Sequence, residues 1–332
     1  MTLRGGRWRI LLVLPVVAGA IALFIWHGPN WHLVENAFTL VRWEWVVAAI
    51  GLNLLSVLTR AVAWDTTIKQ SIEPPHPSFA IVFSAFSVGL FANAVLPGRV
   101  GELARVAVLR RRLAGRRGTT ATLVGSVFAH RMFDIFPALT LVVWVLVSAN
   151  IPGWALTGIG IVLAVGVLLF LTAWLLAHRE GRQLEELGRI RQLLARARQG
   201  LAVMRKPRAA LTAGAFQFIG WTCQLFAVWA ALRAFHIYQP LVAAGLVLVL
   251  INIATIFPFW PGNVGVVQIA VATSLVNYGV PYARGFAFGI GLQAIEASVG
   301  VGIGLIFLAR EGLSYAVLKQ MDEADEGPGI TG

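Results

Sequence analysis

Charged residues within long apolar stretches are the part of this sequence that could do chemistry. The four that stand out are Glu102, Arg131, Asp134 and Glu296. A charge without water costs several kcal/mol unless it is paired or solvated, so such residues mark a binding site or a pathway. Arg131 and Asp134 are three residues apart, as are Glu102 and Arg105, so each pair shares one helix face. These residues could form ion pairs that lock helix packing, or they could have a head-group or proton-coupling role.

A turn motif precedes Glu102. Proline cannot continue a helix, and the two glycines allow a sharp turn and the close approach of a ligand. The next helix begins with amides that lack intrahelical partners and, with the helix dipole, favour an anion. Arg99 and Arg105 add positive charge, so we predict a cradle for a phosphate. The motif consists of Pro97, Gly98, Arg99, Val100 and Gly101.

The same pattern, Pro-Gly-x-Val-Gly, occurs a second time. This copy has an asparagine and backbone amides but no charge, and Gln268 lies one turn into the following helix. We therefore expect a neutral cradle here, in contrast to the cationic first one. The residues of this motif are Pro261, Gly262, Asn263, Val264 and Gly265.

Composition defines the class of protein that carries these motifs. Of 332 residues, 58% are hydrophobic and 13% are charged, and the mean hydropathy is +0.77. Soluble domains have about 45–50% apolar and about 25% charged residues. These values exclude a soluble enzyme, a disordered chain and a coiled coil, and they indicate an integral membrane protein with several spans.

Apolar runs of spanning length predict about six membrane helices and two broken hairpins. The hairpins are 78–112 and 241–280, interrupted by the two turn motifs, and both are predicted to be re-entrant. The arms of 241–280 are longer, so a full crossing stays open there. The first run follows three arginines like a signal peptide, but no cleavage site follows it cleanly. The predicted spans are 10–26, 43–63, 119–149, 154–177, 209–232 and 283–309.

Basic residues predict the orientation. The net charge of +12 could indicate nucleic acid, but cytoplasmic loops of membrane proteins also concentrate basic residues. With a cytoplasmic N-terminus, cytoplasmic segments hold 23 basic residues, including nine in 60–117 and nine in 179–208, against three outside. We therefore predict a multi-pass protein of the cytoplasmic membrane with both termini in the cytoplasm and no nucleic-acid partner.

The two halves of the predicted membrane domain contain the same elements in the same order. Residues 43–149 and 209–309 each contain a span, a broken hairpin and a span, starting from opposite sides. The sequence thus predicts an all-α polytopic membrane protein with an inverted repeat, an architecture common in transporters. We expect a single transmembrane domain over 1–312, with a cytoplasmic basic amphipathic segment at 178–208 between the halves. The acidic tail, 313–332, is expected to be disordered.

Other polar residues leave alternatives open. His130 and Asp134 have a spacing that could hold a metal, but no further histidine or cysteine lies near in sequence. We predict a hydrogen-bonded interior histidine, with no metal and no cofactor. Gln217, Trp221 and Gln224 share one helix face and either line a cavity or bond to neighbouring helices.

Three segments resemble the signatures of a known family, the lysylphosphatidylglycerol synthase transmembrane-region family, also called flippase-like domain proteins. The resemblance covers about 10–310. It departs at His130 and Gln268, where the family often has acidic residues. Both departures remove negative charge, which argues against a proton-coupling or cation-recognition role carried over from the family and leaves an anionic phosphate ligand at least as plausible. The segments are Asn93–Glu102 with Arg105, His130–Asp134 and Asn252–Gly265.

The resemblance implies a protein that moves or presents lipids, such as lysylphosphatidylglycerol, hopanoid-related or polyprenyl-linked species. Bifunctional relatives carry a soluble aminoacyl-transferase domain after the membrane part. Here about 20 residues follow the last span, which implies the membrane half without the synthase activity.

The function predicted from the sequence is a non-enzymatic protein that translocates or presents an anionic phospholipid. The alternatives are a membrane enzyme acting on a lipid-linked substrate and a non-transporting scaffold for a lipid synthase. The expected partners are phosphate-bearing membrane lipids, with a lipid-synthesis enzyme as a possible protein partner. The residues predicted to contact the head group are Pro97, Gly98, Arg99, Gly101, Glu102, Arg105, Arg131, Asp134, Pro261, Gly262, Asn263, Gly265 and Gln268.

Overall fold

The computed structural model describes residues 30–96, 100–113, 119–149, 206–255 and 263–310, with scattered residues between 151 and 203. These ranges contain helices and no strand, which confirms the predicted all-α class. The helices are α1 (Trp31–Thr39), α2 (Trp43–Ser71), α3 (Phe79–Val95), α4 (Gly101–Arg112), α5 (Thr119–Ser148), α6 (Pro207–Ala234), α7 (Leu241–Ala254), α8 (Val266–Val276) and α9 (Tyr282–Arg310).

Four apolar helices are long enough to cross a membrane: α2, α5, α6 and α9. Each has 28 to 30 residues, which corresponds to about 42–45 Å against a hydrocarbon core of about 30 Å. They confirm the predicted spans 43–63, 119–149, 209–232 and 283–309. The predicted span 10–26 and the tail 313–332 lie outside the described residues, as do most of 154–177 and of 178–208.

The two broken stretches form pairs of short helices, α3 with α4 and α7 with α8. Helices α3 and α4 have 17 and 12 residues, which gives lengths of about 26 and 18 Å. Helices α7 and α8 have 14 and 11 residues, which gives lengths of about 21 and 17 Å. Each length is less than the about 30 Å of hydrocarbon that a span must cross. The interruptions fall at the two turn motifs, as predicted.

Each hairpin returns to the end of the bundle from which it starts. A Cβ on Gly89 of α3 would meet Arg105 of α4 at 3.1 Å. On the other hairpin, Gly289 of α9 faces Gln268 of α8 and Gly285 faces Ala272, so α8 runs antiparallel to the first half of α9. The Gln239 side chain, just before α7, donates to the carbonyl oxygen of Tyr278, just after α8 (3.1 Å), so the two ends of this hairpin meet. These contacts favour the re-entrant form for both hairpins, including 241–280.

Corresponding helices of the two halves run in opposite directions. The Arg42 amide at the start of α2 donates to the carbonyl of Ala234 at the end of α6 (3.0 Å). Further along, the Trp45 and Trp229 rings pack edge to face with centroids 5.7 Å apart. The first hairpin packs on α9 and the second on α5, so each contacts the last span of the other half. This arrangement is the one that the predicted inverted repeat requires.

Two apolar cores fill the opposite ends of the bundle, one around each hairpin. Trp64, Ile68 and Leu109 are fully buried in the core of the first hairpin. Leu246 and Phe288 are fully buried in the core of the second. Polar and charged side chains of the long helices therefore meet between the two cores, halfway along the bundle.

Close packing of the first hairpin on α9 can be tested at Gly304. A Cβ at this position would lie 2.9 Å from the Ser87 carbonyl oxygen and against Phe91 of α3. We expect Gly304→Ala to destabilise the fold by about 1–3 kcal/mol, as overpacking does. The measurement is thermal unfolding of the purified protein in detergent.

Gly302 is the matched control on the same helix, because a Cβ there meets nothing within 4 Å. Gly302→Ala is expected to leave the unfolding temperature unchanged or slightly higher, since alanine favours helix by about 1 kcal/mol over glycine. Equal unfolding temperatures for the two variants would contradict this packing.

Candidate functional site

A network of ion pairs joins three helices at mid-depth. The Arg131 guanidinium pairs with Asp134 on its own helix (3.0 Å) and with Glu102 of α4. Glu102 also pairs with Arg105 at 2.5 Å. The Arg60 guanidinium of α2 reaches Asp134 at 3.1 Å. Both helical pairs expected from the three-residue spacings are therefore present, and Arg131 links them.

Asp134 is the centre of this network. Besides two guanidinium groups, its carboxylate accepts hydrogen bonds from the Trp221 indole N–H (2.9 Å) and from the Gln217 amide of α6. A buried carboxylate needs such donors because they replace the hydrogen bonds to water that it loses on burial. The polar face of α6 thus bonds to neighbouring helices, one of the two alternatives that the sequence left open.

Arg105 lies in an aromatic enclosure. Its guanidinium carbon is 4.8 Å from the centroid of the Trp64 ring and 5.6 Å from that of Phe86. The side chain is 3% exposed. Rings at these distances stabilise a cation through their quadrupoles. Arg105 is therefore fixed between α2 and α3, where it orients Glu102.

Arg131 differs from Arg105 in its accessibility. Its side chain is 48% exposed, while that of Asp134 is 13% exposed. A small cavity of ≈ 50 Å³ lies beside it, lined on its charged side by Arg60, Glu102, Arg105, His130 and Arg131. Such a volume holds a few water molecules. A larger anionic group would have to lie at the mouth of this cavity, beside Arg131.

Backbone amides at the first turn are largely engaged by the protein. The Gly101 amide donates to the Asn93 side-chain oxygen at 2.8 Å. The amides of Leu103 and Ala104 both donate to the Val100 carbonyl oxygen (3.0 and 2.9 Å). The expectation of a cluster of free amides here is therefore wrong for these three. Gly101 has no room for a side chain, since a Cβ would collide with the Gly89 carbonyl oxygen and Asn93.

The described end of the second turn, where α8 begins, is also bonded to protein groups. The Gly265 amide donates to Gln268 Oε1 (2.6 Å), and Gln268 Nε2 donates to Gln293 Oε1 of α9 (2.5 Å). The Asn263 side chain donates to the Ala254 carbonyl oxygen (2.8 Å) across the hairpin. Gly265 has a φ of +94°, a left-handed region that favours glycine. The Gln268 side chain thus caps the start of α8 by accepting from the Gly265 amide. This amide is therefore not free, contrary to the expectation from the sequence.

The predicted site residues therefore separate into two groups. Gly101, Glu102, Arg105, Arg131 and Asp134 come together in one network. Asn263, Gly265 and Gln268 lie at the tip of the other hairpin. Whether any of them contacts a lipid stays a prediction. The remaining predicted site residues, which lie outside the described part of the chain, are Pro97, Gly98, Arg99, Pro261 and Gly262.

Arg60 is the site residue that sequence reasoning missed. It was counted among cytoplasmic basic residues, but it is the eighteenth residue of the 29-residue helix α2. Its position within the predicted span 43–63 was the feature of the sequence that could have identified Arg60 as an intramembrane charge. His130, expected to be a hydrogen-bonded interior side chain, contacts the Arg60 carbonyl oxygen through Nε2 at 3.1 Å, which confirms that expectation. Among the described residues, no group of three or more His, Cys, Asp or Glu could hold a metal ion.

The helices and the network define a multi-pass membrane protein with an ionic site between two hairpins. Residues 3–304 match the family described as the lysylphosphatidylglycerol synthase TM region, so the chain belongs to this family, and its resemblance in sequence is confirmed. The family implies a lipid-related membrane protein.

A relative from Methanothermobacter thermautotrophicus strain Delta H, named UPF0104 membrane protein, is 23% identical over 284 residues. The alignment covers 79% of this chain and 81% of the relative. No solved structure matches the chain.

The central role of Asp134 can be tested by removing its charge. In Asp134→Asn, two guanidinium groups at mid-depth lose a counter-charge, and breaking a buried pair costs about 3–5 kcal/mol. We expect a correspondingly lower stability in detergent-induced or thermal unfolding, with the helix content of the folded protein retained.

The control removes a carboxylate from an exposed ion pair. Glu44 lies 2.5 Å from Arg42 at the start of α2, and its side chain is 58% exposed. Glu44→Gln is expected to change stability by about 0–1 kcal/mol, the range for surface pairs. If Asp134→Asn were as mild, the network would not carry the stability assigned to it.

Proposed function

We propose that this protein binds the anionic head group of a phospholipid beside the ion network and translocates or presents it between the two leaflets. Membership of a lipid-related membrane family supports a lipid as the ligand.

The observation that carries the proposal is the half-exposed side chain of Arg131 at mid-depth. Nearly half of its side chain is exposed although it belongs to the middle of a membrane-length helix. An intramembrane charge that is open to its surroundings is a functional-site hypothesis by default. Guanidinium groups bind phosphate with two parallel hydrogen bonds, so a lipid phosphate is the ligand that this group fits best.

The inverted repeat supplies a route for movement. Binding sites of inverted-repeat transporters lie near the bilayer midplane between broken helices, and rocking of one half against the other exposes them alternately. Here the network lies at this depth, with one hairpin tip beside it and the other hairpin entering from the opposite end. The proposed movement exposes Arg131 to each leaflet in turn.

Lipid movement in reconstituted vesicles tests the proposal. The assay measures bleaching of fluorescent phosphatidylglycerol by a membrane-impermeant reductant, with and without protein. We expect the wild-type protein to make the inner-leaflet lipid accessible. Arg131→Gln is expected to slow this by about tenfold or more, because a hydrogen bond to a charged group contributes about 1.5–3 kcal/mol.

Arg284→Gln is the matched control, because Arg284 is exposed near the start of α9 and the change removes the same charge. Its lipid movement is expected to equal that of the wild type. Wild-type activity in both variants would overturn the Arg131 site. Absence of movement with bound lipid would favour a scaffold, and covalent change of the lipid would favour an enzyme.

Orientation forms a separate prediction, with hairpin α3–α4 entering from the cytoplasm. In a Cys223→Ala background, a cysteine at Arg110 is expected to react with an impermeant maleimide only in inside-out vesicles. A cysteine at Tyr238 is expected to react only in right-side-out vesicles. Both positions are exposed, at opposite ends of the bundle. The reverse pattern would invert the topology assigned from the basic residues.

A further inference from the structure

The two halves of the membrane domain are related by a constant offset in sequence. Arg60 and Gln224 are 164 residues apart, and the Arg60 guanidinium donates to Gln224 Oε1 at 3.4 Å. The same offset separates the two turn motifs and the starts of α2 and α6. Arg60 and Gln224 are thus equivalent positions that meet at the pseudo-twofold axis between the halves. Other equivalent positions can be compared with the same offset.

A carboxamide side chain caps the short helix that follows each turn. Its oxygen accepts from the amide of the last glycine of the motif: Asn93 Oδ1 from Gly101 at 2.8 Å, and Gln268 Oε1 from Gly265 at 2.6 Å. A backbone N–H can only donate, so this contact fixes which end of each carboxamide is the oxygen. The NH2 group of each cap is therefore turned away from the glycine amide and has two hydrogen atoms to donate.

The two caps differ in what their NH2 groups meet. Gln268 Nε2 donates to Gln293 Oε1 of α9 at 2.5 Å. Asn93 Nδ2, by contrast, has no acceptor within the ranges that the structure describes. The position of α5 equivalent to Gln293 is Ala129, whose side chain offers no hydrogen-bond acceptor. The first half therefore lacks the oxygen that completes the polar cluster of the second half.

A cavity lies beside the Asn93 cap. The space of ≈ 50 Å³ next to the ion network is lined by Asn93 and Gly101 as well as by Glu102 and Arg131. Asn93 is partly exposed. Arg131 uses two of the five N–H groups of its guanidinium on Asp134 and Glu102. Asn93 of α3 and Arg131 of α5 thus line one cavity, and both have hydrogen atoms left to donate.

We propose that Asn93 is a second contact to the lipid head group, with Nδ2 donating to an oxygen of the phosphate that Arg131 binds; this rests on the function proposed above. The phosphate oxygen takes the part that Gln293 Oε1 has in the other half. One charged and one neutral donor from different helices fix the orientation of the phosphate as well as its position. A head group without an acceptor oxygen at this place would leave Asn93 Nδ2 unbonded, which lowers its affinity.

Nuclear magnetic resonance of the full-length protein in detergent micelles tests this contact. In protein labelled with ¹⁵N at asparagine, each side-chain NH2 group gives its own pair of proton signals, and the pair of Asn93 is identified by its absence in Asn93→Gln or Asn93→Asp. The probe is soluble dihexanoyl phosphatidylglycerol, and dihexanoylglycerol, which lacks the phosphate, is the control. We expect the probe to move an Asn93 signal downfield, because the hydrogen bond to an anion is stronger than one to water, and the control to leave it in place.

Asn93→Asp separates ligand binding from capping. The carboxylate still offers an oxygen to the Gly101 amide, but it has no N–H for a phosphate. We expect an unfolding temperature close to that of the wild type and an affinity for the probe that is lower by about tenfold or more, the effect of losing a hydrogen bond to a charged group. Asn277→Asp is the matched control, because Asn277 is exposed at the end of α8, and it is expected to bind the probe like the wild type.

The outcomes separate the Asn93 contact from the function on which it rests. Wild-type binding of the probe with no asparagine side-chain signal moved would overturn the contact and leave the Arg131 site standing, whether or not the variants fold. An undiminished affinity in Asn93→Asp would do the same. An equal movement of the Asn93 signal with inorganic phosphate alone would overturn the lipid as its ligand. Absence of wild-type binding would overturn the head-group site and this inference together.

Discussion

The structure depends on the cost of keeping charge away from water. The guanidinium groups of Arg60 and Arg131 lie near the middle of membrane-length helices, and that of Arg105 lies beside them on the short helix α4. An unpaired charge at this depth would cost several kcal/mol. Asp134 and Glu102 lower this cost by pairing with all three, Asp134 with Arg60 and Arg131, and Glu102 with Arg105 and Arg131. These pairs tie α2, α4 and α5 together, and α6 joins through its bonds to Asp134. The network is thus both a structural element of the bundle and its candidate site.

The same constraint governs the backbone of the two hairpins. A broken helix within a bilayer leaves amides that only protein, water or ligand can satisfy. In both turns a side chain takes this part, Asn93 for Gly101 and Gln268 for Gly265. The described starts of α4 and α8 are therefore each capped by a side chain. Among the described cations of the network, Arg131 has the most exposed side chain.

The pseudo-twofold relation joins structure to the proposed mechanism. Equivalent helices α2 and α6 run antiparallel and pack along their lengths, so the two halves share one interface. The halves are not chemically identical, because arginine on one side of the axis faces glutamine on the other.

The sequence by itself determined the membrane class, the four described spans, the positions of both interruptions and the two ion pairs spaced three residues apart. These depend on local features: apolar length, proline and glycine placement, and helical periodicity. Only the tertiary structure decided that Arg60 belongs to the site, that side chains cap the turns, and that Gln217 and Trp221 bind Asp134. Those contacts join residues far apart in the chain, and hydrophobic periodicity does not report which polar faces of packed helices meet.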